Sequence, residues 1–407
     1  MHGVVEPRTS KDGATAFYVY GARALRDFGD GFTAVLLPVY LTALGLGPFQ
    51  VGVVATLALF GSSLTTLAVG FLGARADQRR LLIAGSGLMV VTGLAFAVSG
   101  TYAVVLLVAF IGTINPSAGT VSLFVPLEHA VLSRSVADAN RTKMFARYGL
   151  IGALAAALGA LASASPDLLA RLGISQLAAL SAMFVFYAML GVAGGMLYAQ
   201  IPVDGVAIAE KSVSALGPSR RIVYRMAAVF SIDSFAGGFA VQSLLALWLF
   251  HKFELSLASA GLFFFWSGVL AAFSFPVAAW LSKRIGLINT MVFTHIPSSV
   301  CLILAAVAPG VEIALVLLLV RSALSQMDVP TRSSYVMAVV TPPERPAAAS
   351  VTSVPRSLAA AASPALAGAL FAAGFEAWPL VICGALKIAY DVLLLSQFRH
   401  LKPPEEC

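Results

Sequence analysis

Residues 49–72 read FQVGVVATLALFGSSLTTLAVGFL, residues 73–80 read GARADQRR, and residues 81–100 read LLIAGSGLMVVTGLAFAVSG. Two runs of 24 and 20 residues without a charge thus flank an eight-residue loop that holds Arg75, Asp77, Arg79 and Arg80. A helix needs roughly 20 predominantly apolar residues to cross the hydrocarbon of a bilayer. Neither run alternates polar and apolar residues over the ~10 residues of a membrane barrel strand. A helix satisfies its backbone polar groups within itself, which hydrocarbon demands. The stretch therefore reads as two membrane helices joined by a short basic loop.

The same pattern extends in both directions. Apolar runs lie near 20–44, 49–72, 81–100, 102–127, 143–164, 175–200, 226–250, 257–281, 287–308, 312–340, 347–373 and 379–398. The composition agrees: 59% of the 407 residues are hydrophobic, 11% are charged, and the mean hydropathy is +0.90. A soluble domain carries about 25% charged residues, so soluble enzymes, disordered chains and nucleic-acid-binding domains are excluded. The net charge of +7 sits in short clusters between apolar runs rather than on one face. Cys301, Cys383 and Cys407 form neither a disulfide framework nor a metal motif, and no metal or other cofactor is expected.

Lysines and arginines set the orientation. With both termini in the cytoplasm, 22 of the 26 basic residues fall on the cytoplasmic side. Arg171 and Lys252 lie opposite, and Arg321 and Lys387 lie inside spans. The polar stretch 202–225 divides the chain into two six-helix halves, 17–201 and 226–400, with cytoplasmic tails at 1–16 and 401–407. The halves are related. Pro126 and Arg141 recur as Pro330 and Arg345, offset by 204; Asp27 and Gly31 recur as Asp233 and Gly237, offset by 206; Gly52 and Arg75 recur as Gly261 and Arg284, offset by 209.

With these motifs the chain resembles the major facilitator superfamily of secondary transporters. Leu36-Leu37-Pro38-Val39-Tyr40-Leu41 is similar to that family's exit from its first helix. Gly70 to Arg80 is similar to its Gly/Asp/Arg loop, shortened after the aspartate, with Leu281 to Gly286 as the counterpart in the second half. The resemblance covers about residues 17–400. It implies an all-α membrane fold of twelve transmembrane helices in two pseudo-symmetric six-helix bundles, helices 1, 4, 7 and 10 lining a central cavity, and transport by rocking of one half against the other. Two departures stand out. The Gly-rich motif of proton-driven exporters lacks its proline in span 5 (Gly149 to Gly159), and Ser363-Pro364-Ala-Leu-Ala-Gly368 in span 11 comes nearest to it. Span 4 also lacks a mid-membrane arginine, whereas span 10 has Arg321.

A charge inside a bilayer costs about 2.5–3.5 kcal/mol on insertion scales and is functional by default. Arg321 is expected to bind an anionic group of the substrate or to pair with an acid from another helix. Asp27 and Asp30 share one face of span 1, each four residues after an arginine. Asp233 has no basic residue within a turn of its own helix. These three acids are the candidates for proton coupling, against the plain alternative of local ion pairs. Asn115, Ser117, Thr120 and Gln242 are candidates to line the substrate path. The resemblance further implies a cytoplasmic latch: Arg79 or Arg80 with Glu128, Arg284 with Asp328 beside Arg332, and Asp77 over the start of span 11, where the helix dipole favours an anion. His295 and the Lys387/Asp391 pair read as structural.

The resulting expectation is a monomeric, multi-pass transporter of a small organic solute, driven by protons, with export the favoured direction and a bacterial inner membrane the favoured site. The alternatives are a facilitator or importer of an anionic metabolite and a non-transporting receptor on the same scaffold. A Walker loop or a catalytic cluster would mark an ATPase or an enzyme; neither is found.

Overall fold

A computed structural model of the chain describes residues 9–72, 77–117, 122–134, 141–202, 216–341 and 344–399. Arg75, Thr120 and Lys211 lie outside these residues, as do the first eight residues, 203–215 and 400–407. In chain order the first half holds α1 (Thr9–Ala43), α2 (Pro48–Leu72), α3 (Gln78–Val98), α4 (Tyr102–Ile111), α5 (Phe124–Arg134), α6 (Arg141–Ala162), α7 (Ser165–Arg171) and α8 (Gln176–Ala199). The second half holds α9 (Arg220–Gly238), α10 (Gln242–Phe253), α11 (Leu257–Ile285), α12 (Leu287–Ala306), α13 (Val311–Ser325), α14 (Asp328–Val339), α15 (Arg345–Ala362), α16 (Pro364–Ala372) and α17 (Trp378–Phe398).

These helices form twelve columns, because α7 continues the stretch begun by α6 and four further spans are each made of two helices. Span 4 is α4 and α5, span 7 is α9 and α10, span 10 is α13 and α14, and span 11 is α15 and α16. The breaks of spans 4, 7 and 11 have a local cause. Gly112 and Pro116 interrupt span 4, the Gly237-Gly238 pair ends α9, and Pro364 starts a new helix after Ser363. Among the described residues, nine helical stretches are long and apolar enough to cross a membrane. The others are α1, which carries Arg23, Arg26, Asp27 and Asp30, and the interrupted spans 4 and 11. Large apolar side chains such as Val91, Val98, Leu107, Met189, Phe273 and Val316 point outward, which a bilayer accommodates and water would not. The protein is a multi-pass, all-helical membrane protein.

Glycine sets the helix spacing at two kinds of contact. Within the first half, α1 and α6 touch backbone to backbone: a Cβ on Gly31 would strike Ala156 O, and one on Gly159 would strike Phe28 O. Between the halves, a Cβ on Gly52 would come 2.5 Å from Pro364 O, and one on Gly368 would come 2.6 Å from Pro48 O. Small residues permit such approach in a membrane, where packing rather than the hydrophobic effect holds helices together.

The cores show how the halves meet. One apolar cluster runs through both halves, with Leu36, Tyr40, Val51 and Phe184 of the first packed with Leu244, Trp248, Phe264 and Phe371 of the second. It lies on the side away from the termini. On the side of the termini there are two separate clusters instead. Val19, Leu82, Leu127, Met144 and Tyr198 belong to the first half, and Val223, Met291, Tyr335, Ala348 and Leu394 to the second. The halves are therefore joined on the far side and parted on the side of the termini. The joining pairs are α2 with α15 and α16, α6 with α11, and α1 with α10. Spans 5 and 11 both take part.

Candidate functional site

Each half encloses a network of buried charge. In the first, Arg26 of α1 donates Nη1 and Nη2 to Glu128 of α5 at 2.9 and 3.0 Å. Tyr198 of α8 donates to the same carboxylate at 2.5 Å, and Tyr148 of α6 donates to its other oxygen. Glu128 is 0% exposed, and four donors answer its charge. Asp27 pairs with Arg23 at 2.9 Å and lies 3.4 Å from Arg26. Arg23 also stacks on Tyr148, with 4.0 Å to the ring centre. Spans 1, 4, 5 and 6 are thus tied together.

In the second half, Asp233 of α9 stands between Lys387 of α17 at 2.6 Å and Arg332 of α14 at 3.0 Å. Arg332 also holds Asp328 at 3.0 Å. His295 of α12 faces Asp391 of α17 at 3.0 Å, and Arg356 of α15 donates to Ser234 at 3.2 Å. The repeat brings corresponding positions to corresponding places with the charges exchanged. Glu128 and Arg332 are 204 residues apart, and each pairs with the first helix of its own half. In one the acid comes from the fourth helix, in the other from the first.

A third group lies at the breaks of spans 4 and 7. Asp30 of α1 is buried, and no basic group stands within ion-pair distance among the described residues. Its Oδ1 accepts from Tyr187 Oη at 3.3 Å. The same hydroxyl lies 3.3 Å from Thr113 O and 3.1 Å from Thr113 Oγ1, at the end of the α4 segment. Two residues on, Asn115 Oδ1 accepts from Ser117 N at 2.9 Å. Between them, Pro116 O accepts from Ser243 N, the second residue of α10, at 3.0 Å. Gln242 is half-buried beside that bond. A hydrogen bond at the two breaks therefore bridges the halves, and backbone groups left free by interrupted helices meet there. Irregular backbone at membrane depth is tolerated where protein buries it or where it lines a cavity.

Several expected pairs are not formed in this structure. Arg79 and Arg80 do not reach Glu128, because α5 turns that carboxylate inward to α1. Arg79 donates instead to Ala199 O, and Arg80 stays near Asp77 at 3.5 Å. Asp77 caps α3 by accepting from Arg79 N at 2.9 Å. The acid at the start of span 11 is Glu344. Arg284 lies over Trp280 of its own helix, 4.1 Å from the ring centre, and Asp328 takes Arg332 as its partner. Arg321 faces Cys301 of α12 and Cys383 of α17. Both cysteines belong to the second half, so these neighbours of Arg321 come from its own half. Lys387 and Asp391 engage Asp233 and His295 rather than each other.

Glu344 ties the linker to span 11. It accepts from Gly217 N at 2.5 Å, Ser219 Oγ at 2.6 Å and Thr341 Oγ1 at 2.5 Å. The Ser219 and Thr341 hydroxyls, with the Gly217 and Ser219 amides, hold its carboxyl down at about 2. Sequence reasoning passed over Glu344 and the tyrosines that face Asp30 and Glu128. Tyrosine in an apolar span carries little polar signal, and a loop glutamate looks solvated.

Comparison with known proteins places these features in context. The profile of the Major Facilitator Superfamily matches residues 19–212 and 227–406. The chain is 23% identical over 411 residues, 92% of each chain, to a protein of Saccharomyces cerevisiae (strain ATCC 204508 / S288c) described as uncharacterized membrane protein YJR124C. Among solved structures it is similar to the inward-facing, unoccupied form of a bacterial homolog of the human lysosomal transporter Spinster, with a TM-score of 0.69, 13% identity and 95% of both chains covered. It is similar to the nucleoside transporter NupG, with a TM-score of 0.72, 14% identity, and 96% and 100% covered. It is also similar to the human organic anion transporter MFSD10, with a TM-score of 0.64, 16% identity, and 94% and 99% covered.

Proposed function

The chain belongs to the Major Facilitator Superfamily, and from that premise we propose that it is a proton-coupled secondary transporter that exports a small organic solute by alternating access. It works as a monomer in a cell membrane with both termini in the cytoplasm, where the basic residues gather. The solute lodges near the breaks of spans 4 and 7, among Asn115, Ser117 and Gln242. Broken helices offer unpaired backbone groups and helix ends to a ligand.

The observation that carries the reading is the Tyr187 hydroxyl between two acceptors. It has one proton to give and lies 3.3 Å from both Asp30 Oδ1 and Thr113 O. An ionised Asp30 draws that proton, since a hydrogen bond to a charged acceptor is roughly twice as strong as a neutral one. A protonated Asp30 releases it to Thr113, at the break that also carries the Pro116–Ser243 bond between the halves. Proton occupancy and the contact that opens during switching thus share one segment of span 4. Asp30 is a buried carboxylate with no basic group within ion-pair distance among the described residues, and a proton can serve as its counter-charge. The buried Arg26–Glu128 and Arg332–Asp233 pairs serve as struts that let each half move as a body. One proton crossing 100 mV delivers about 2.3 kcal/mol.

The test is a solute panel in proteoliposomes under an imposed pH gradient, including nucleosides and organic anions, with solute and proton movement both read. Asp30→Asn is expected to abolish gradient-driven accumulation and to preserve exchange of labelled for unlabelled solute. Solute flux that moves no protons and is unaffected by Asp30→Asn would overturn the reading.

A further inference from the structure

We infer that the second half holds a proton-binding site of its own at His295, separate from Asp30, and that its proton decides whether Lys387 or His295 engages Asp233. The geometry assigns the hydrogens. His295 Nδ1 lies 3.1 and 3.0 Å from the two oxygens of Asp391. His295 Nε2 lies 3.3 Å from Lys387 Nζ. An ammonium only donates, so Nε2 accepts, and Nδ1 carries the hydrogen given to Asp391. The ring is therefore neutral in this arrangement. Nε2 also stands 3.7 Å from Asp233 Oδ1, a gap that a small shift closes.

The surrounding charges make a second arrangement available. Facing the cluster are Asp233 from α9, Asp328 and Arg332 from α14, Arg356 from α15, and Lys387, Tyr390 and Asp391 from α17. α12 has no other charged residue, α11 carries only Lys283 and Arg284 at its end, and Arg321 of α13 faces Cys301 and Cys383. Arg332 and Lys387 answer Asp233 and Asp328. Asp391, 0% exposed, has His295 as its one partner among the described residues.

A proton taken from water onto Nε2 gives Asp391 a full counter-charge. It also sets an N–H against the Lys387 ammonium, so the two part and Nε2–H donates to Asp233. The proton thereby exchanges a bond from span 12 for a bond from span 9 on the carboxylate that holds span 10. Tyr390 Oη and Ser299 Oγ, beside the ring and one turn along α12, are buried without a hydrogen-bond partner among the described residues. Buried polar groups are nearly always paired, and these two are available to a rearranged cluster. Imidazole is the side chain whose ordinary ionisation falls in the physiological range.

The test is nitrogen NMR of full-length protein labelled with [15N]histidine in lipid nanodiscs, across a pH series. The chain has five histidines. One is expected to show the Nδ1-protonated neutral form at alkaline pH and to become doubly protonated on acidification. His295→Gln should remove that signal, and Lys387→Met should shift its Nε2 resonance while leaving the Nδ1 resonance in place. Asp391→Asn, which keeps the shape of the site but removes the carboxylate, should shift the Nδ1 resonance. Asp30→Asn should leave all of this unchanged. An Nε2-protonated ring at alkaline pH, a ring that stays neutral throughout, or a signal that vanishes in Asp30→Asn would each overturn the proposal, whatever the solute assays show for Asp30.

Discussion

Gly368→Ala tests whether the far-side contact between the halves sets the access equilibrium. A Cβ at position 368 would lie 2.6 Å from Pro48 O and 3.0 Å from Gly52 Cα. Ordinary van der Waals contact begins near 3.4 Å, so α2 and α16 must separate by several tenths of an ångström or more. The obstacles are backbone atoms, which have no rotamer to move aside. Overpacking of this kind costs about 1–3 kcal/mol, and the cost falls only on the state in which the far side is closed. The equilibrium between access states should therefore move toward far-side opening by about 5- to 150-fold. The assay is the distance between spin labels at the far ends of α2 and α16, read as a population of short and long distances. Modification of a single cysteine at Gln242 from that side gives an independent reading. The expected outcome is growth of the long-distance population and faster modification, with the global unfolding midpoint little changed. Unchanged distances together with unchanged midpoint and modification rate would show that the Gly52–Gly368 contact does not hold this state.

Arg26→Met should destabilise the protein by about 3–5 kcal/mol, since it leaves the Glu128 charge buried with only hydroxyl donors. Arg26→Met combined with Glu128→Leu should cost less than either single change, measured by denaturant unfolding in detergent; strictly additive losses would sink the strut reading. Tyr187→Phe should reduce gradient-driven transport tenfold or more while leaving the fold intact, because a hydrogen bond to a charged group contributes about 1.5–3 kcal/mol. Glu344 has its folded carboxyl at about 2 against an ordinary 4.5. The stabilisation it contributes is thus complete above about pH 4.5 and fades as pH falls toward 2. Hydrogen exchange at Gly217 and Ser219 should speed up over that window, and Glu344→Ala should speed it at neutral pH already.

Much of the architecture was legible in the chain itself. Twelve apolar runs, the strong bias of lysine and arginine to one side, and matching residues about 204–209 positions apart follow from one physical demand. Hydrocarbon requires long, self-satisfied helices, and that demand acts on local composition, which a sequence displays directly. The breaks also have a local signal in the chain, since Pro116, Pro364 and the Gly237-Gly238 pair are residue types that interrupt helices. What was not legible is which charge meets which. Glu128 and Arg79 sit on neighbouring elements and have opposite signs, so the sequence allows them to pair. Only the turn of α5 decides for Arg26.

The same division runs through the intramembrane charges. Composition alone marked Asp30, Asp233, Arg321, His295 and Lys387 as groups that must be housed in protein, because exposing them to lipid is costly. The partners of Asp30, Asp233, His295 and Lys387 lie 92 to 157 residues away in the chain, and the angle of each helix about its own axis selects among them. A rotation of one residue, about 100°, would exchange one neighbour for another without altering any apolar run. Local composition therefore determined the spans and the duplication, whereas the packing of helix on helix decided that Lys387 reaches Asp233, that Glu128 takes Arg26, and that Tyr187 stands between Asp30 and the break in span 4.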